Sequence, residues 1–354
     1  MSIRSSLKTV IEQQDTLTLE EARQLSNRIF AGKVDQSELA LLIGGMASRG
    51  ETAEELAGFA LSMRALSNTL PLTEQEKDDS IDTCGTGGDG VGTFNISTGA
   101  ALVAAAAGAK VAKHGNRAVT SLCGSADVLA QLGIPVALSS EEAIDSLRVH
   151  GFCFLLASVY HPSLSEVAPL RRAVGVRTVF NALGPLLNPA GVRRQVVGVY
   201  SPRLVPLFAK TMPLLGVRQA LIVHGDGGLD ELSLSGPSIV ADVRSSDAGT
   251  TVHEYTLLPE NVGLQRAPNS AIEGGTTAYE NAAILSDIFG FRRKRLMTGP
   301  YRDVVLLNAA AVLVTAGLAR GLQEGVLIAT QTIESRAVER LLCSLQGDQV
   351  HRIG

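Results

Sequence analysis

Cysteine is scarce in this sequence and never patterned. The four cysteines, Cys84, Cys123, Cys153 and Cys343, form no CxxC pair and show no metal-ligand spacing. That excludes a cysteine-built metal site and leaves reduced thiols in a reducing compartment. Cys84 and Cys123 each stand beside a glycine loop, although a free cysteine mostly behaves as a small buried hydrophobe. Long apolar runs are missing too. None reaches the roughly 18 to 20 residues that a membrane helix needs, and the best candidate, Ala100 to Ala107, is alanine-rich between Gly99 and Gly108. The opening MSIRSSLKTVIEQQD lacks the apolar core of a signal peptide. A cytoplasmic protein without a membrane partner is expected. Basic residues are not in excess either: the net charge is −4, which excludes a general nucleic-acid footprint and confines any basic patch to a local site. There is no internal repeat and no low-complexity tract.

What is present suits a soluble globular protein of about two domains, with 354 residues, 45% of them apolar and 19% charged. The first ~70 residues carry helix signals only. Thr18 with Glu21 forms a capping box ahead of Ala22, Leu25, Ile29 and Phe30 at helical spacing. Gly32 stops that helix, Ser37 is expected to cap a second that ends at Gly50, and Thr52 with Glu55 opens a third. Such short helices cannot make a stable core alone, so they should pack on other parts of the chain or on another subunit. After Pro71, strands and helices alternate: DSIDTCG, AKVAKHG, IPVALS and GFCFLLAS are expected strands, with helices between them. That alternation implies a mostly parallel sheet, which binds ligands at the carboxyl ends of its strands. From Ser165 to Pro189 the alternation breaks into helical pieces punctuated by Pro169, Pro185 and Pro189, a segment expected to return to the N-terminal helices. The α/β pattern resumes with RQVVGVYS, the Leu204 to Leu215 helix and QALIVHGDGG. Two long helices are expected from Arg302 onward, after a charged surface loop from Ile288 to Arg302.

The most informative stretch runs from Asp82 to Asp127. It packs two glycine-rich loops, a hydroxyl-rich helix start and a Lys/Arg cluster into one segment. Backbone amides, hydroxyls and cations together describe a cradle for a polyanion. The GTGGDG run, Gly85 to Gly90, formally matches a dinucleotide fingerprint. Asp89 would repel a pyrophosphate there, and the next strand ends in Lys113 where an acid is wanted. No G-x-x-x-x-G-K-[ST] is present, so a nucleotide triphosphatase is unsupported as well. Thr93, Asn95, Ser97 and Thr98 then crowd one helix start. One capping residue suffices for one helix, and a rim of hydroxyls suits a diphosphate and its metal ion. Lys113, His114, Asn116 and Arg117 follow a strand, with Thr120, Ser121 and Ser125 beyond. A solvated basic turn is the plain alternative, and His114 can as well position the loop as take part in chemistry.

Far downstream, LIVHGDGGLDELSLSG places Asp230 and Glu231 in a glycine-flanked loop. There both carboxylates can aim at one ion, and Mg2+ is commonly held by one or two carboxylates plus substrate phosphates. His161, Arg171 and Arg172 lie near the expected domain junction. An arginine fits a carboxylate with two parallel bonds; an inter-helix salt bridge is the alternative.

The run GTGGDG…TFNIST…KHGNRAVTS…GSAD, with HPSLSEVAPLRR, GVRTVFNALGPLLNPA, HGDGGLDELSLSG, EYTLLPENVGL and DVVLLNAAA, resembles the anthranilate phosphoribosyltransferase family, in its order, from about Asp82 to Ala311. The resemblance implies an α/β fold with a helical domain, the nucleoside phosphorylase/phosphoribosyltransferase-like fold, in which helices flank a mostly parallel central sheet. It implies a small helical dimerisation domain of residues 1–72 plus about 163–190, and a large α/β domain of 73–162 plus 191–354. The implied reaction moves phosphoribose from phosphoribosyl pyrophosphate (PRPP) to the amine of anthranilate, on the way to tryptophan, with Mg2+, two ions per subunit, as cofactor. The matching PRPP positions are Gly85, Gly88, Asp89, Thr93, Asn95, Ile96, Ser97, Thr98, Lys113, His114, Gly115, Asn116, Arg117, Ala118, Val119, Thr120, Ser121 and Ser125. Ser97, Asp230 and Glu231 match metal ligands. Gly85, Asn116 and Arg171 match the acceptor site, with Arg171 on the anthranilate carboxylate and Lys113 and Arg171 as electrostatic contributors. A homodimer is implied.

The chain departs from the family pattern near the acceptor entrance. Where the family has F-L-F-A-P before its His-Pro, this sequence has Phe154, Leu155, Leu156, Ala157 and Ser158, and Leu164 and Ser165 replace the usual Met and Lys. Three other readings remain open at this point: transfer to a different aromatic acid, a related nucleoside phosphorylase without need of the acidic pair, and a non-catalytic PRPP binder.

Overall fold

The structure, a computed structural model, describes residues 2–118, 123–163, 175–291 and 295–350, with 348–350 as backbone only. Helices fill the N-terminal part, as the capping pattern predicts. Thr18 and Thr52 cap the helices Leu19–Phe30 and Ala53–Ala65, and Glu21 and Glu55 close the capping boxes. At the second helix the cap is Asp35, not Ser37. Its carboxylate accepts from the Ser37 and Glu38 N–H groups at 2.8 and 3.4 Å, and a charged acceptor also suits the positive end of the helix Gln36–Arg49.

These helices do not build a core of their own. Leu25, Leu42, Met46 and Phe59 join one cluster with Val179, Phe180 and Leu186 of the proline-punctuated segment and with Phe208, Ile222 and Val243 of the α/β part. Phe180 meets Phe30 and Phe59 edge-on, with ring centroids 6.4 and 6.1 Å apart. Arg64 ties the seam by donating to the carbonyls of Leu186 and Leu215 at 2.7 and 3.2 Å.

Among the described residues the sheet has seven strands in the order β3-β2-β1-β4-β5-β6-β7. They are β1 Ser80–Gly85, β2 Lys110–Gly115, β3 Phe152–Leu156, β4 Arg194–Gly198, β5 Gln219–His224, β6 Ser238–Ser246 and β7 Gly249–Leu257. β3 through β5 pair in parallel; β6 and β7 add an antiparallel edge. The parallel strands are buried along nearly their whole length because helices cover both faces, and β3 is a continuous apolar run. Strand order reverses between β1 and β4, where a crevice opens at the carboxyl ends.

Three expectations need correction. Ile134–Ser139 is not a strand; it makes one isolated antiparallel bridge, Ala137 to Leu155. Pro135 has no N–H to give to a ladder. The C-terminal region is three helices, Pro300–Ala316, Leu322–Glu334 and Ala337–Val350. The second break falls at Arg336, whose φ of +60° is not announced by any glycine or proline. The stretch before them is not all loop, since Thr277 caps a helix Ala278–Phe289 that reaches into it.

Candidate active site

The crevice is built where β1 and β4 end side by side, with Gly85 paired to Gly198. The loop after β5 folds back through a Gly225–Leu229 bridge and lays Asp230 across both strand ends. A Cβ on Gly85 would stand 2.2 Å from Asp230 Oδ2, and one on Gly198 only 1.5 Å from the Asp230 carbonyl oxygen. Only glycine permits this approach. Just beyond, the buried side chain of Asn308 exchanges bonds with both Leu232 backbone groups, at 2.9 and 3.0 Å. The acidic pair thus sits on a fixed backbone.

The carboxylates meet the two sequence-predicted cradle elements. Gly87 N–H donates to Asp230 Oδ2 at 2.7 Å, and Ser97 N–H donates to Glu231 Oε1 at 3.0 Å. Ser97 lies in the first turn of the helix Ile96–Ala106, whose N-cap residue Asn95 makes no side-chain capping bond. Ile96 N–H donates to the Phe94 carbonyl at 2.8 Å, so Glu231 takes the place of a side-chain cap at this helix start. Thr98 Oγ1 in the same turn is buried and has no partner among the described residues. Burial and then repulsion from Asp89 hold the Asp230 carboxyl above its usual range; burial and then repulsion from Asp230 do the same to Glu231.

Lys113 is the balancing cation. Although only 2% exposed, it donates from Nζ to the Thr83 carbonyl at 2.6 Å and to Ser97 Oγ at 3.3 Å. Its charge favours the ionised forms of both Glu231 and Asp82. Asp82 is fully buried, accepts from His114 N–H at 3.1 Å, and is raised by burial.

The second loop is organised by Asp127, which the sequence reading left unassigned. One carboxylate oxygen accepts from Ala118 and Gly124 N–H at 2.9 and 3.1 Å, and the other pairs with Arg117 at 3.1 Å. Asn116 and Arg117 are exposed at the loop surface, and Ser125 Oγ reaches the Asn116 carbonyl at 3.5 Å. A Cβ on Gly115 would lie 2.4 Å from Ser125 Oγ, so those two stand together. His114 follows Lys113 on its strand, where successive side chains take opposite faces. Its buried ring packs edge-on against His161 at 5.2 Å; burial and then the His161 ring lower its pKa to about 3. Ile96 is a core residue that can offer only its backbone. Thr93 and Asn95 are half-buried on the rim, where Thr93 bridges to Glu273. Val119, Thr120, Ser121, Arg171, Arg172, Leu164 and Ser165 lie outside the described residues. Neither cysteine beside the crevice loops is an activated nucleophile: burial pushes the Cys84 thiol well up and the Cys123 thiol up to about 11.

The donor set fits a hard divalent cation. Among the described residues no group of three or more His, Cys, Asp or Glu side chains converges as a metal site. The protein offers two adjacent carboxylates and the Ser97 hydroxyl, the sparse set on which Mg2+ sits when substrate phosphates complete its shell. The raised proton affinity of the pair is what a cation there would relieve.

Several contributors carry no local sequence signal. Asp82, Asn188 and Asn308 act across the fold, Asn188 by donating to the Ala112 carbonyl at 2.8 Å. Only charged or amide residues inside apolar strand and helix runs could have hinted at them.

Comparison with known proteins adds the following. Residues 77–337 match the family model described as "Glycosyl transferase family, a/b domain", and residues 4–67 match "Glycosyl transferase family, helical bundle domain". The chain is 46% identical over 342 residues to the anthranilate phosphoribosyltransferase of Chloroflexus aggregans, covering 96% of this chain and 97% of that one. It is 47% identical over 333 residues to that of Pelotomaculum thermopropionicum, with 94% and 92% covered. Among solved structures, the enzyme of Thermus thermophilus superposes with a TM-score of 0.87 at 39% identity over 98% of each chain. The Saccharomyces cerevisiae enzyme in complex with PRPP and Mg gives 0.85 at 29% identity, over 99% of this chain and 98% of that one. Sequence, fold and crevice agree, and this chain belongs to the anthranilate phosphoribosyltransferase family.

Proposed function

We propose that this chain transfers phosphoribose from PRPP to the amine of anthranilate, releasing pyrophosphate, in tryptophan biosynthesis. The observation that carries the reading is the acidic pair Asp230–Glu231 laid against the glycine loop, the first turn of the helix Ile96–Ala106 and buried Lys113. The amine nitrogen bonds to the anomeric carbon as the carbon–oxygen bond to pyrophosphate breaks. The bonding pair leaves with pyrophosphate, and the amine proton goes to solvent.

Asp230, Glu231 and Ser97 would hold Mg2+, two ions per subunit, which neutralises diphosphate charge when bound. The amides of the glycine loop and of the helix start, with the Ser97 and Thr98 hydroxyls, bind the diphosphate. Lys113 stabilises the negative charge that grows on the leaving group. Thr93, Asn95 and the loop 114–121 with Ser125 enclose the sugar phosphate. Asn116 and Arg171 orient the acceptor carboxylate so that its amine faces the anomeric carbon, a proximity contribution. An aromatic amine is neutral at pH 7, so no general base is required before bond formation. Residues 1–72 plus about 163–190 form the small domain through which two copies pair, and 73–162 plus 191–354 form the PRPP domain. Among the described residues no helix is long and apolar enough to cross a membrane, and a cytoplasmic location is proposed.

The test is loss of anthranilate fluorescence on adding PRPP, with Mg2+ and with chelator. The chain has no tryptophan, so the emission belongs to the acceptor. Magnesium-dependent loss is expected. No loss, with pyrophosphate released from another aromatic acid, would move the reading to that acceptor, as the Leu156 and Ser158 departures suggest. PRPP binding without turnover would reduce it to a sensor. Arg171→Ala should raise the anthranilate KM far more than the PRPP KM.

A further inference from the structure

Among the described residues the first part of the glycine loop finds few packing partners, while its far end is tied where Gly274 N–H donates to Gly92 O at 2.9 Å. Gly87 and Gly88 take φ of +68° and +71°, and a Cβ at Gly87, Gly90 or Gly92 would meet none of the described residues within 4 Å. Its position must come from hydrogen bonds at the backbone. On one side, Gly87 N–H is held by Asp230. On the other, the next carbonyl, Gly88 O, accepts from Arg177 Nη2.

Arg177 is itself placed. Its guanidinium carbon lies 3.9 Å above the Tyr200 ring centroid, a stacking that a planar guanidinium achieves and an ammonium does not. Tyr200 in turn is fixed to the root of the same loop: its N–H donates to Thr86 Oγ1 at 3.1 Å, and Thr86 N–H donates to Gly198 O at 2.9 Å. Root and tip of the loop are therefore anchored on one aromatic residue. Arg177 also precedes Thr178 and Phe180, and Phe180 is the residue wedged between Phe30 and Phe59 of the N-terminal helices.

We infer that Arg177 is a positioning residue that holds the Gly87–Gly88 backbone over Asp230 and sets the diphosphate cradle before substrate arrives. The inference rests on the proposed reaction for its kinetic consequence only. A cation drawn to Asp230 competes with Gly87 N–H for the same carboxylate, and Arg177 then remains the tie that keeps the loop amides facing the crevice. Its role is toward PRPP and not toward the acceptor.

The experiment compares wild type, Arg177→Ala, Arg177→Lys and Tyr200→Phe by hydrogen–deuterium exchange without ligands and by steady-state kinetics. Losing one hydrogen bond and one exposed cation–π contact should raise the PRPP KM about tenfold, with kcat and the anthranilate KM little changed. Amides of residues 86–92 should exchange faster in Arg177→Ala while the rest of the chain keeps its protection. Arg177→Lys should resemble the alanine variant, because the stack is lost, and Tyr200→Phe should resemble wild type. Unchanged exchange in the loop would overturn the inference whatever the kinetics. So would faster exchange with no KM change, or with equal losses for both substrates and a lower Tm, which would mark a general structural role. Should the wild-type chain fail to transfer phosphoribose, the proposed function falls, and the exchange comparison still decides for or against Arg177.

Discussion

Glu231 Oε1 accepts the Ser97 backbone N–H at 3.0 Å, while Lys113 reaches the hydroxyl of the same serine at 3.3 Å. One residue at a helix start thus joins the anion and the cation of the crevice. Neutralising the anion should separate activity from stability. Glu231→Gln keeps an oxygen for Ser97 N–H but removes a charge that Asp230 and Asp89 repel. The transfer rate should fall by about a hundredfold or more, since a charge-stabilising group is lost. In chelator, thermal stability should hold or rise by about 1 kcal/mol, because a crowded charge is removed. A large drop in Tm without metal would show that Glu231 is a structural anchor instead.

Backbone approach at the crevice floor gives a second prediction. A methyl group at Gly198 would overlap the Asp230 carbonyl at 1.5 Å, and backbone on both sides cannot swing away. Gly198→Ala should cost about 3 kcal/mol of stability, at the top of the usual range for overpacking. Gly90→Ala meets open space but must adopt φ +75°, a strain of about 1 kcal/mol. Urea midpoints for the two variants decide the matter; equal losses would contradict the account of the strand ends.

What the sequence made legible was local. Thr18 and Thr52 announce helix starts because cap and partner are three residues apart. Gly85–Gly88, Ser97, Lys113 and the Asp230–Glu231 pair stood out because glycines, surplus hydroxyls and charges cluster beside strand ends, one helix start and one glycine-flanked loop. What stayed hidden was long-range. The Asp82 bond to His114 spans 32 positions, those of Asn188 and Asn308 span 76 each, and that of Arg177 to Gly88 spans 89. No window of sequence relates such pairs. The misplaced strand at Ile134–Ser139 has the apolar residues of a strand, yet a strand also needs a ladder partner, and it finds one bridge to Leu155 only.

Lys113 supports two buried or half-buried anions, Asp82 and Glu231, and replacing it should be costly twice. Lys113→Met fills nearly the same volume, yet it strands both carboxylates. About 3 kcal/mol of stability should be lost, the usual result of removing one partner from a buried charge cluster. Transfer should fall by about a hundredfold or more. Adding Glu231→Gln should restore part of the stability and none of the activity. A purely additive double variant, measured by Tm, would show that the two side chains do not interact.

Acid sensitivity should come from the His114–His161 pair. Burial first, and then the neighbouring ring and Lys113, lower the His114 pKa to about 3; burial first lowers that of His161 to about 4. His161 Nε2 lies 2.7 Å from the Leu187 carbonyl oxygen, so this nitrogen carries the proton of a neutral ring. In the unfolded chain each histidine titrates near 6.5. Above that value both rings are neutral in either state, and they add no pH dependence. Between 6.5 and about 4 the unfolded histidines take up protons that the folded ones refuse, so the contribution of this pair to stability falls with falling pH. The slope should approach 1.4 kcal/mol per pH unit for each histidine and flatten once the folded rings titrate. His161→Gln retains a donor for Leu187 and removes one of the two titrations. The raised Asp230 and Glu231 carboxyls bind protons in the folded chain over the same range and oppose this fall, but they are common to both proteins. The Tm of His161→Gln relative to wild type should therefore rise steadily as pH falls from 6 to 4. Parallel Tm profiles for the two proteins would place the acid sensitivity elsewhere in the fold.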